Sequence, residues 1–77
     1  MTIAEFNKSA HFEQEEFVRE ESTSVNGLQE YGEYQIHYYL LPDFAVEVYV
    51  FKETGRISRF KAIPAEQVPP GIIGSKL

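Results

Sequence analysis

Two groups of residues have types suited to chemistry or binding. His37 and Glu47 are an imidazole and a carboxylate. Neighbouring strands could bring such a pair together, as a general acid–base step requires. Tyr39, Tyr49 and Phe51 occur with Arg56, Arg59 and Lys61 in one stretch of chain. Flat π-faces interleaved with cations are the composition that stacks single-stranded nucleic acid. They are also where protein–protein binding energy concentrates. A strand histidine beside a tyrosine is most often a packing or surface residue, which disfavours the catalytic reading.

Other chemistry is hard to find. The sequence holds no phosphate loop, dinucleotide fingerprint, nucleophile elbow or EF-hand loop. With no cysteine and only His11 and His37, a structural zinc site would need carboxylates as well. No metal, cofactor or catalytic residue is therefore expected. The lack of cysteine fits a reducing compartment, and a cytoplasmic location is the expectation. No apolar run approaches the roughly 18 residues of a membrane span, and the acidic start is unlike a signal peptide.

The formal charge of −5 is unevenly spread. Residues 1–33 carry two basic side chains against eight acidic ones, and the remainder carries five against four. An acidic half beside a near-neutral half disfavours nucleic acid as the partner. At 77 residues the chain makes one domain, 1–77. A core this small stabilises by only about 3–5 kcal/mol, so association is a natural way to bury more surface.

Three β-prone runs must position the candidate residues: 34–41, 44–52 and 56–63. Pro42-Asp43 and Glu53-Thr54-Gly55 separate them, and both are turn chemistry. An antiparallel meander follows. With Gly55 in a left-handed position closing a three-residue turn, Phe51 opposes Ile57, Tyr49 opposes Arg59, Val48 opposes Phe60 and Glu47 opposes Lys61. One face is then Phe44, Val46, Val48, Val50, Phe60 and Ala62. For the first hairpin, a tight Pro42-Asp43 turn puts Leu41, Tyr39, His37 and Gln35 beside these valines and a loop one residue longer puts Leu40, Tyr38, Ile36 and Tyr34 there; burial favours the second.

Residues 2–21 are helical in composition, as one helix or two with a break near Lys8–Ala10. Thr2-Ile3-Ala4-Glu5 reads as a capping box. Ile3, Phe6, Ala10 and Phe17 form the stripe that lies on the sheet, and Phe12 points away. Ser22 to Glu33 reads as a loop containing an Asn26-Gly27 turn, with room for a short edge strand at 28–31. Pro64 to Val68 suits one helical turn, and 70–77 forms a terminal extension, either a frayed tail or a strap.

The expected fold is α+β: one or two N-terminal helices packed on a three-stranded antiparallel β-meander, with a short C-terminal extension. One helical layer covers one side of the sheet. Tyr39, Tyr49, Phe51 and Ile57 then stand on the other side, rimmed by Glu47, Arg59 and Lys61. Four adjacent apolar side chains on a bare face mark an interaction site. The expected function is a non-catalytic protein–protein interaction module that self-associates through Tyr39, Tyr49, Phe51, Ile57, Arg59 and Lys61. The alternatives are single-stranded nucleic-acid binding by the same face, and a small enzyme using His37 and Glu47.

Overall fold

The computed structural model describes residues 1–69. Two helices, α1 (Ile3–Lys8) and α2 (His11–Glu21), precede four strands: β1 (Thr23–Tyr31), β2 (Tyr34–Leu40), β3 (Ala45–Phe51) and β4 (Ile57–Ile63). The strands form one antiparallel sheet in the order β1-β2-β3-β4. A 3₁₀ turn, Ala65–Gln67, follows. The α+β class is the expected one, with four strands rather than three. The expected extension at 70–77 lies outside the described residues.

The helices begin as their sequences dictate. The Thr2 hydroxyl accepts the Glu5 N–H at 3.1 Å, and the Glu5 carboxylate accepts the Thr2 N–H at 2.8 Å. Helix α2 has only half of such a box. Ala10, at its cap, offers no acceptor, but Glu13 reaches back to the Ala10 N–H at 3.1 Å. The break between the helices resets the phase of the apolar stripe. Phe6 is fully buried, and Ile3 and Phe17 pack beside it. Ala10 is exposed and Val18 takes its place in the core. Gln14 is buried because its Nε2 donates to the Phe6 carbonyl at 2.8 Å, linking the two helices. Phe12 is 69% exposed.

Strand β1 corrects the reading of Ser22 to Glu33 as a loop. Gly32, at φ +60°, opens a two-residue turn between Tyr31 and Tyr34. Glycine at the first central position is what a tight hairpin of this kind needs. The Asn26-Gly27 signal does not make a turn. It falls where the pairing slips, from Ser24 opposite Tyr39 to Leu28 opposite His37. Three residues there stand against one, so turn chemistry in an edge strand has become a bulge.

The second hairpin matches the expected register from Val46–Ala62 through Val48–Phe60 to Tyr49–Arg59. Nearer the turn it departs by one residue. Val50 opposes Ile57, and Ser58 is the extra residue of a bulge. Residues 52–55 form the loop, closed by Phe51 N–H to the Arg56 carbonyl at 2.9 Å and Gly55 N–H to the Phe51 carbonyl at 2.8 Å. Gly55 has φ +74°, as the turn required. The bulge confines the slip to the turn end, so Glu47, Arg59 and Lys61 keep the outer face.

The first hairpin has the tight Pro42-Asp43 turn, with Leu41 N–H on the Phe44 carbonyl at 2.8 Å. Tyr39 opposes Val46 and His37 opposes Val48. Leu41, Tyr39 and His37 therefore share the valines' face, and Ile36 and Tyr38 stand on the other. This overturns the preference drawn from burial. That preference assumed a single core, and the sheet has two.

The first cluster is Phe6, Val18, Leu41, Phe44, Val46, Val48, Phe60 and Ala62 between helices and sheet. The second is Ile36, Tyr38, Ala45, Ile63 and Val68 on the outer face. An unpaired carboxylate at Val48 would cost several kcal/mol, comparable to the whole stability of a domain this size. Val48→Asp should accordingly be unfolded at room temperature by far-UV circular dichroism; a parent-like melt would refute the assignment of Val48 to the inner core.

A Cβ on Gly55 would meet nothing within 4 Å, so substitution there isolates backbone strain from crowding. Gly55→Val should cost about 1–2 kcal/mol, lowering the melting temperature by on the order of 10 °C. An unchanged melting temperature would mean that the loop has another conformation.

Candidate functional site

The described residues cover one half of the outer face and leave the other half open. After β4 the chain turns at Pro64 and lays Val68 against Ile36, Tyr38, Ala45 and Ile63. That short segment covers the end of the face nearest the Pro42-Asp43 turn. Beneath it, Tyr38 donates its hydroxyl proton to Gln29 Oε1 at 2.8 Å, so the phenol is buried without an orphaned polar atom.

The other end is aromatic and partly bare. Tyr34 and Tyr49 meet edge to face, with ring centroids 5.8 Å apart. Tyr34 and Phe51 lie at 5.0 Å with a 34° tilt. Tyr31 opposes Tyr34 in the ladder and is 67% exposed. The Arg59 guanidinium sits 4.4 Å above the Tyr49 ring, a cation–π contact. The Tyr49 hydroxyl donates to Glu47 at 2.9 Å, and Glu47 opposes Lys61 across the ladder. The result is an apolar, aromatic centre with both signs of charge beside it. Next to it the turn end holds an open concavity of about 690 Å³, with Phe51 as its shared wall and Glu33, Glu53, Lys52 and Arg56 around it.

Of the six candidate interaction residues, Tyr49, Phe51, Arg59 and Lys61 stand together on this face. Tyr39 and Ile57 do not. Tyr39 follows the tight first hairpin to the helix side, where it packs on the inner core. Ile57 is carried to that side by the bulge at Ser58, opposite Val50, and is 39% exposed. The two meet in a shallow recess with Val18 and Phe60. Tyr31 and Tyr34 are the members that sequence reasoning missed. The Pro42-Asp43 dipeptide was the available signal, because a two-residue turn places Tyr34 opposite Phe51.

The arrangement does not assemble the acid–base pair. His37 opposes Val48 on the inner face and Glu47 opposes Tyr38 on the outer one, so the sheet lies between them. Among the described residues no group of three or more His, Cys, Asp or Glu side chains could hold a metal ion. No helix of the described residues is long and apolar enough to cross a membrane. No protein-family model, curated protein or solved structure matches this chain. Fold and face together define a small α+β domain whose outer sheet is half covered by the described residues.

Burial pushes the Tyr38 phenol up to about 12, reinforced by the negative charge of Glu47 and by Tyr49. Burial also raises Tyr49; its hydrogen bond to Glu47 adds to this, and Arg59 partly opposes it. Both folded-state values lie above the ordinary phenol value of 10.0. The folded chain thus holds these protons more tightly than the unfolded chain. This stabilisation is complete below the ordinary phenol value and is lost as pH climbs through the folded values. Alkaline unfolding should therefore coincide with late tyrosinate absorbance, and Tyr38→Phe should remove the latest component. A Tyr38→Phe titration curve that keeps that component would show the phenol is not held neutral by its burial.

Proposed function

We infer that the chain is a non-catalytic interaction module that self-associates through the open half of its outer sheet face. One observation carries this reading: Tyr31, exposed, and Tyr34, Tyr49 and Phe51, half-buried, form an aromatic surface that the described residues after β4 do not fully cover. Patches of this kind usually mark interaction sites, and tyrosine and arginine dominate binding energy in them. The charges beside the patch favour a second copy as the occupant. A two-fold interface must be complementary to itself. Here Arg59 and Lys61 stand beside Glu47, with Glu33 at the turn end, so each copy offers both partners of an ion pair.

Single-stranded nucleic acid is the competing occupant, supported by the stacking of Arg59 on Tyr49. The carboxylates Glu33, Glu47 and Glu53 around the same surface oppose a phosphate backbone.

Light scattering over a concentration series tests the reading. The parent should approach twice the 8.9 kDa chain mass. Tyr31→Ser with Phe51→Ser should return it to one chain with the far-UV signal intact. A parent that stays at one chain mass at the highest attainable concentration overturns self-association, and salt-sensitive retention on a single-stranded DNA column would then favour nucleic acid.

A further inference from the structure

The two edges of the sheet are finished differently. The β1 edge is broken by the bulge between Ser24 and Leu28. The β4 edge has no such break from Arg59 to Ile63, and among the described residues no strand pairs with it. A regular, unpaired edge is a template for another strand unless something blunts it. In an antiparallel ladder, alternate residues turn their backbone groups toward the neighbouring strand and away from it. Ala62 turns its groups away from β3, and Phe60, two residues earlier, does the same.

The Ala62 groups are not left free. Asn7, in α1, accepts the Ala62 N–H on Oδ1 at 2.9 Å and directs Nδ2 at the Ala62 carbonyl at 3.4 Å. A primary amide carries one acceptor and a pair of donors on adjacent atoms. It can therefore meet a backbone N–H and C=O together, as the peptide groups of an adjoining strand would. The partners are 55 residues apart in sequence, so this contact is tertiary. Helix α1 is held at the edge by Phe6, which is fully buried beside Phe44.

We propose that Asn7 is an edge guard: its side-chain amide takes the position of a fifth strand at Ala62 and closes β4 to strand addition by a second copy. A second device supports the first. In an antiparallel β4–β4 pair centred on Phe60, Arg59 of one copy faces Lys61 of the other, and like charges directly opposed destabilise a ladder. An Arg59→Glu substitution turns that repulsion into attraction and leaves Asn7 as the remaining barrier.

This proposal does not depend on face-to-face association, and the test keeps the two apart. All variants carry Tyr31→Ser and Phe51→Ser, so the aromatic face is disabled. Adding Arg59→Glu should leave the mass of one chain, because Asn7 still occupies the edge. Adding Asn7→Ala to that variant should double the mass. If the variants with and without Asn7→Ala have the same mass, the guard role is overturned. Hydrogen exchange on the unaltered protein gives a reading that no folding failure can remove. The Ala62 amide should be protected like a ladder amide, and Asn7→Ala alone should speed its exchange about tenfold, the factor one net hydrogen bond supplies. Free exchange of Ala62 in the parent overturns the proposal as well.

Discussion

Strand β3 is buried from both sides, and the rest of the molecule is arranged to satisfy it. Val46 and Val48 point toward the helices, while Ala45 and Tyr49 point the other way into a second cluster. A strand's side chains alternate strictly, so each partner must supply apolar groups on both faces in matching phase. Strand β2 and the residue after it do so with Tyr39 and Leu41 inward and Ile36 and Tyr38 outward. Strand β4 does so with Phe60 and Ala62 inward and Ile63 outward. Helices α1 and α2 then close the inner side through Phe6, Phe17 and Val18. Among the described residues, the outer side has only Val68 and the short turn that carries it. These described residues cover one half of the second face.

That two-sidedness also decides what could be read from sequence. Where a pattern had one polar and one apolar phase, the register was legible. Glu47, Arg59 and Lys61 alternate with valines and Phe60, and only one pairing of β3 with β4 keeps the charges off the core. The Thr2–Glu5 box and the left-handed Gly55 were legible because each is a local steric or hydrogen-bonding demand. Strand β2 was not legible in the same way. Tyr34-Gln35-Ile36-His37-Tyr38-Tyr39-Leu40-Leu41 is apolar enough in either phase, so burial could not choose and the Pro42-Asp43 turn did. Strand β1 was hidden by its own Asn26-Gly27 pair, which in an edge strand makes a bulge rather than a turn.

The candidate site inherited both ambiguities. Tyr39 is misplaced on the outer face because burial favours a loop one residue longer than the tight Pro42-Asp43 turn that forms. Ile57 was misplaced because a bulge at Ser58 moves two residues and leaves Arg59 where it was. Bulges carry almost no sequence signal when the extra residue is a serine between a β-branched residue and an arginine. The aromatic character of the outer face survived these errors because it comes from three strands at once. Removing Tyr39 and adding Tyr31 and Tyr34 moves the patch toward the turn end without changing its chemistry.

Charge then bears on which way two copies would meet. Helices α1 and α2 carry Glu5, Glu13, Glu15, Glu16, Glu20 and Glu21 against Lys8 and Arg19, and most of these side chains are exposed. Among the described residues only the Glu15–Arg19 pair, at 3.1 Å, offsets this within the helical layer, and an exposed pair of that kind contributes little. Contact through the helices would bring two acidic layers together. Contact through the outer sheet faces puts both sheets between them. Stacked sheets lie about 10 Å apart, and each helical layer lies a further ~10 Å out. The acidic surfaces are then separated by nearly four times the ~8 Å Debye length at physiological ionic strength. Repulsion across that gap is largely screened, whereas the opposite charges at Glu47, Arg59 and Lys61 meet at short range near an aromatic surface. Under the proposed self-association, the same uneven charge thus favours the orientation that buries the aromatic half of the sheet.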